Sequence, residues 1–237
     1  MIKKNKKVLL KKITVKAGKV LLVLFAISLL QVLLLNWINP FTSSVIIQRQ
    51  IKSFFSGKNP VKYEWYNYKD ISKEMALAVI ASEDQNFPEH FGFDIEQINK
   101  AIKESKRKRR LRGASTITQQ VAKNLFLWED KSFIRKGFEA YYTLLLELLW
   151  NKKRIIEVYL NIAQTGNNIF GVGSASKIYF KIPPLKLSPD KCALIAAILP
   201  NPVRFSIINP SEYIKNRQVW ILEQMSQLGG IDYIKNL

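Results

Sequence analysis

Phe133–Trp150 reads FIRKGFEAYYTLLLELLW, eighteen residues without proline and with a single glycine at Gly137. Phe138, Tyr141, Leu144, Leu145 and Leu148 recur at helical spacing and leave little of the circumference polar. A helix apolar on most sides is expected to be central and enclosed. The stretches around it carry the same period. Lys153–Asn161 brings Ile155, Ile156, Val158, Tyr159 and Leu160, and Ser115–Leu127 reads as a helix before it. Ser72 can cap a helix over Lys73–Ala81, and Pro189–Leu199 makes another that Pro200-Asn-Pro202 ends. Alternating strand patterns are scarce, so the fold class is mainly α. No long Gly/Ser/Pro stretch or internal repeat interrupts residues 61–237, which read as one domain. Residues 39–60, with Pro40, Gly57 and Pro60, read as a connector near a membrane surface.

Upstream, Val20–Ile38 reads VLLVLFAISLLQVLLLNWI. Nineteen such residues span roughly 28 Å, the thickness of a bilayer's hydrocarbon core. Eight lysines and no acid precede it in residues 1–19, so the positive-inside bias keeps the N-terminus in the cytoplasm and the rest outside. No small-x-small cleavage site follows the apolar run, which favours an uncleaved anchor over a signal peptide. Net charge is +19, and +11 remains beyond the basic tail, so the exported part calls for an anionic partner of its own. Cys192 is the only cysteine and lies in an apolar run, as a small core residue does; no internal disulfide can form. His90 is the only histidine, which argues against a multi-histidine metal site.

Three polar clusters could carry chemistry. The first is Glu83-Asp84-Gln85-Asn86-Phe87-Pro88-Glu89-His90-Phe91-Gly92-Phe93-Asp94. Glu83 follows Val79 by four residues and Ile80 by three, so it leaves its helix on the core side, where desolvation raises a carboxyl pKa toward general-base use. Asp84, Asn86 and Pro88 are also ordinary turn formers. In the second, Thr116, Gln120, Lys123 and Asn124 fall on one helical face and offer hydroxyl, amide and ammonium groups suited to sugar and phosphate; a solvated polar face has the same pattern. The third opens the apolar helix with Arg135, Lys136 and Glu139, an i, i+4 ion pair or a second carboxylate held by cations in a cleft. Glu147, deeper in that helix, is expected to have a structural partner. The run Lys103–Arg112 holds seven basic residues in ten, a solvated loop or a surface for anionic headgroups and pyrophosphate; topology excludes nucleic acid.

In this order and spacing the clusters resemble the peptidoglycan glycosyltransferase family, the monofunctional biosynthetic transglycosylases whose domain also forms the N-terminal half of bifunctional penicillin-binding proteins. Glu83-Asp84-x-x-Phe87-x-x-His90-x-Gly92-Phe93-Asp94 resembles its first motif, Gly113–Asn124 its second, Arg135-Lys-x-x-Glu139 its third and Lys153–Asn161 its fourth. Gly171-Val, Tyr179-Phe180, Leu187-Ser188 and Leu199-Pro-Asn-Pro202 resemble its closing motifs, so the likeness covers residues 63–217. Phe138, where some members have lysine, thins the charge beside Glu139, and Ser174 and Lys191 replace a common alanine and glutamate in the closing motifs, but nothing expected for the chemistry is missing. Three Ser-x-x-Lys matches occur without a following Lys-Thr-Gly, so a monofunctional form without a transpeptidase domain is expected.

The resemblance implies a lysozyme-like helical domain with a small membrane-proximal jaw. It implies that a growing glycan on lipid pyrophosphate is transferred to the 4-hydroxyl of lipid II, with inversion to a β-1,4 bond. Glu83 would then be the base and Glu139 its organising partner. Lys123, Arg135 and Lys136 would hold the pyrophosphate, with Thr116, Gln120 and Asn124 positioning sugars and phosphates. Asp84, Phe87 and His90 would shape the cleft. No cofactor is obligatory and no dedicated metal cage is present; Mg²⁺ or Mn²⁺ enters at most as an assistant shared with the pyrophosphate. Partners are lipid II, the lipid-linked glycan, the cytoplasmic membrane and other cell-wall synthesis proteins. The rival readings are a lytic enzyme that cuts glycan on a lysozyme-like fold and a non-catalytic membrane protein that binds through the basic run.

Overall fold

The computed structural model describes residues 2–108, 115–130 and 132–237. Among the described residues ten α-helices run in chain order: α1 (Ile2–Trp37), α2 (Ser44–Phe55), α3 (Lys73–Glu83), α4 (Ile95–Lys108), α5 (Ile117–Phe126), α6 (Phe133–Leu149), α7 (Lys152–Ile162), α8 (Val172–Ala175), α9 (Pro189–Ile198) and α10 (Glu212–Gln227). Three short strands, β1 (Lys62–Tyr63), β2 (Gln164–Gly166) and β3 (Ile169–Phe170), form a sheet in the order β1-β3-β2, with β1 parallel and β2 antiparallel to β3. The mainly α class read from the sequence holds.

The chain divides into two compact units, residues 1–39 and 40–237. The first is α1. Its Thr14–Trp37 portion is 24 residues long and apolar enough to cross a membrane; at 1.5 Å per residue it measures about 36 Å.

In the second unit the enclosed helices are α3, α7 and α9. Met75 to Ala81 are all buried, as are Cys192, Ala193 and Ile195 to Ile198. Alanines at 76, 78, 81, 193, 196 and 197 keep both helices thin, and α3 packs directly on α9. α10 lies against both, while α5 packs on α6, α7 and α2. Burial pushes the Cys192 thiol up to about 12, consistent with an unreactive core residue. Ser72 does occupy the N-cap of α3, but its hydroxyl makes no capping bond and instead meets that thiol.

Two expectations are corrected. The stretch read as a connector, residues 39–60, carries α2 within the second unit. Ser43 caps α2 by accepting from Ile46 N, and Gln48 donates to the Leu127 carbonyl at 3.1 Å, which ties α2 to the end of α5. Nor is the apolar helix at 133–150 central. α6 buries Glu139, Thr143 and Glu147 along with Leu145 and Leu146, and exposes Phe133 (98%), Ile134 (71%), Phe138, Leu144 and Leu148 (67%). A polar stripe turned inward and an apolar stripe turned outward invert the usual pattern of a surface helix in water. The basic run Lys103–Arg112 lies, from residue 104 onward, outside the residues whose side chains are described.

Candidate active site

Glu83 is the last residue of α3, and the loop after it is pinned rather than free. Asp84 is buried; its Oδ1 lies 2.8 Å from His90 Nε2, and its Oδ2 accepts from Ile117 N at 2.9 Å. A carboxylate at the first turn of α5 matches the positive end of that helix. Phe87 is fully buried beneath the loop, with His90 edge-on to its ring and Lys152 Nζ 4.7 Å from the ring centroid. Gly92 has φ +77°, and a Cβ there would come within 2.7 Å of Thr143 Cγ2, so a side chain would push the loop off α6. Its carbonyl accepts from Thr116 Oγ1 at 2.7 Å. Asp84, Phe87 and His90 therefore set where the loop, and Glu83 at its root, can lie.

Thr116 is among the residues lining the cavity beside Glu83, but from the N-cap of α5 and not from a stripe along the helix. It is the buried N-cap of α5, in a capping box with Gln119: Gln119 N donates to its hydroxyl, and its own N donates to Gln119 Oε1. With a bond to Gly92 as well, the hydroxyl is spent on the protein. Gln120 also has partners. Tyr159 OH donates to its Oε1 at 3.2 Å, which turns its Nε2 toward Glu83 Oε2 at 3.1 Å. Asn124 is half-buried and makes no side-chain hydrogen bond among the described residues.

The two carboxylates differ in their partners. Glu139 is buried with both oxygens taken, Oε2 by Arg135 Nη1 at 2.6 Å and Oε1 by Lys136 Nζ. Among the described residues Glu83 Oε1 has no such partner; its one cationic neighbour within 4 Å there is Arg217 Nη2 of α10, 3.9 Å away. Burial raises the Glu83 carboxyl above its ordinary range, and Asp84 adds to this, while Gln120, Arg217 and Lys123 oppose it. Lys123 is the mirror case. Burial lowers its ammonium, with Arg135 and Lys136 adding to that and Glu139 opposing. It makes no ion pair among the described residues, yet feels both Glu83 and Glu139, and so joins the two halves of the site electrostatically. Glu147 has the structural partners expected, Thr118 Oγ1 at 2.6 Å and Lys152 Nζ at 2.9 Å.

A cavity of about 490 Å³ opens beside Glu83. Gln97 and Lys100 of α4, Gln120 of α5, and Arg217 and Trp220 of α10 are among the residues that line it. Ser115 lies on its rim and receives Lys136 Nζ at 3.5 Å from the cationic side. The sequence by itself gives no role to Arg217, Trp220 or Tyr159. Tyr159 is hidden in an apolar run, and α10 reaches the site only through tertiary packing. Among the described residues no three His, Cys, Asp or Glu side chains converge as a bound metal ion requires.

Glu157 and Asn161 serve the scaffold. Glu157 accepts from Tyr68 N and Arg154, and Asn161 brackets the Tyr66 backbone, so both hold the segment before α3 onto α7.

A helical domain with a desolvated carboxylate beside a cavity and a cluster of cations defines a class of site for reactions that discharge an anion. Comparison with known proteins agrees. The transglycosylase family model matches residues 48–226. A biosynthetic peptidoglycan transglycosylase of Cronobacter sakazakii is 52% identical over 193 residues, 81% of this chain and 80% of that one. Those of Pseudomonas entomophila and Escherichia coli are 44% identical over 223 residues (94% of each chain) and 50% identical over 199 residues (83% and 82%). The chain belongs to the transglycosylase family.

Proposed function

We propose that this protein polymerises the glycan of peptidoglycan, transferring a growing chain on lipid pyrophosphate to the 4-hydroxyl of lipid II. The observation that carries the mechanism is the pairing of Glu83, a desolvated carboxylate with one amide bond and a distant cation, with the ammonium of Lys123, which makes no ion pair among the described residues. Glu83 takes the proton of the acceptor 4-hydroxyl. The oxygen attacks the anomeric carbon of the donor as its bond to pyrophosphate breaks, and the electron pair leaves with the pyrophosphate. One displacement inverts that carbon to the β-1,4 link. Preplaced cations stabilise the charge that develops on the leaving group, a role suited to Lys123, Arg135 and Lys136. Glu139 keeps the latter two in place. Because its oxygens are occupied, it does not offer itself to a resident ion, so Mg²⁺ or Mn²⁺ belongs to this reading only as a companion of the pyrophosphate.

The outward apolar residues of α6, with Ile47, Ile51, Phe54 and Phe55 of α2, suit a surface resting in lipid, where the substrate's tail resides. The lysines before the apolar stretch of α1 support an orientation with the N-terminus in the cytoplasm and the catalytic domain outside.

The lytic alternative needs two carboxylates flanking the scissile bond. Glu139 is neutralised by two cations and Asp84 is held by His90 and Ile117, so neither is a second working carboxylate. The test is to give the purified full-length protein lipid II and, separately, finished glycan. Polymer from the first and no shortening of the second is expected. Shortened glycan with lipid II untouched overturns the proposal.

A further inference from the structure

Arg217 stands in an unusual relation to Glu83. It enters the wall of the cavity from α10, and its guanidinium lies 5.8 Å from the ring centroid of Trp220. Its Nε is buried with no hydrogen-bond partner among the described residues, and Nη2 is 3.9 Å from Glu83 Oε1. A charge-assisted bond between such groups closes to about 2.7–2.9 Å, as Arg135 does on Glu139 at 2.6 Å. At 3.9 Å the cation is close enough to favour the ionised carboxylate, yet leaves the Oε1 lone pairs open to the cavity. Gln120 and Lys123 also favour the ionised form, but neither sets a cation beside the open Oε1. Gln120 is neutral and bonded to Oε2, Tyr159 spends its hydroxyl on Gln120, and Asp84 carries the wrong sign. Lys123 is cationic but is shared with Glu139.

We propose that Arg217 is a positioning residue for Glu83, a cation held at stand-off distance that keeps this carboxylate ionised and its outer oxygen free to take a proton. The proposal rests on Glu83 being the base. A direct ion pair would quench the base, and without Arg217 burial would raise the carboxyl further. The same helix secures the distance, because Gln224 accepts from Gln85 Nε2 at 2.9 Å and ties α10 to the loop that follows Glu83.

The experiment is the pH dependence of kcat/KM for lipid II polymerisation by the full-length protein in vesicles. Wild type, Arg217→Gln and Arg217→Lys are compared, with Glu83→Gln alongside. Arg217→Gln should move the acid limb upward by about 1 pH unit or more, the effect of losing an opposite charge at this range. Activity should then recover at higher pH, and Arg217→Lys should hold the limb near wild type. If Arg217→Gln melts early, Arg217→Met, which keeps the apolar stem on Trp220, takes its place. An unmoved acid limb in the neutral variant overturns the inference; a raised KM beside it would make Arg217 a substrate ligand instead. If Glu83→Gln is inactive and the limb stays put, only this inference fails. If Glu83→Gln polymerises normally, the assignment of Glu83 fails and this inference falls with it.

Discussion

Glu83 and Glu139 are two acidic side chains in one helical domain, one on α3 and one on α6, and both are largely withdrawn from water. Glu139 meets two cations at hydrogen-bonding distance and has no oxygen left over. Glu83 meets one amide and a cation at 3.9 Å, and its free oxygen faces a cavity. The first is a closed set of charges that fixes Arg135 and Lys136 in space. The second is left unbalanced, which opposes folding and suits the proton transfer proposed for it. Burial penalises each ionised group alike; what separates the proposed base from the scaffold carboxylate is how fully the penalty is offset by neighbours.

The contrast can be broken in four places. The largest effect belongs to Glu83→Gln, which should slow polymerisation by about 10²–10⁴-fold, the worth of a positioned general base. It should do so without loss of stability. Burial raises the Glu83 carboxyl, so ionising it as pH climbs through that raised value takes stability from the folded state, and a neutral amide removes the load. A melting temperature at or above wild type at pH 7 checks this. Lys123→Met should cost about 10²–10³-fold, as losing one preplaced group aimed at developing charge does, again with the fold intact because burial disfavours that ammonium. Glu139→Gln should behave in the opposite way. It strands Arg135 and Lys136 and lowers stability by ~2 kcal/mol, below the full cost of breaking a buried pair because Lys136 is half exposed. Calorimetry against Glu83→Gln separates the two carboxylates directly. The smallest effect is Thr116→Val, which removes a helix cap at about 1 kcal/mol and should leave polymerisation near wild type once the enzyme is folded. A large rate loss there would return Thr116 to the substrate side.

Local chemistry makes much of this legible in the amino-acid sequence itself. The place of Glu83 after Val79 and Ile80 turns it inward, and its desolvation follows from helical geometry. Legibility ends where the answer lies beyond one element. Apolarity on α6 says that part of its surface avoids water, but cannot say what provides the shelter, and Phe133 at 98% exposure shows that the described residues of this chain do not. The sequence Thr116-Ile-Thr-Gln119 holds a capping box, yet starting the helix at Ser115 hides it. Arg217 carries no local signal, since α10 joins the site through contacts such as Gln85 with Gln224, 139 residues apart.

The most direct measurement is the pH dependence of kcat/KM for wild-type polymerisation of lipid II. The acid limb reports the free enzyme's base, so its midpoint should lie clearly above the ordinary glutamate value of about 4.3, and the limb should vanish with Glu83→Gln. A midpoint at or below that ordinary value would show a well-paired carboxylate and contradict the unbalanced charge on which the mechanism depends.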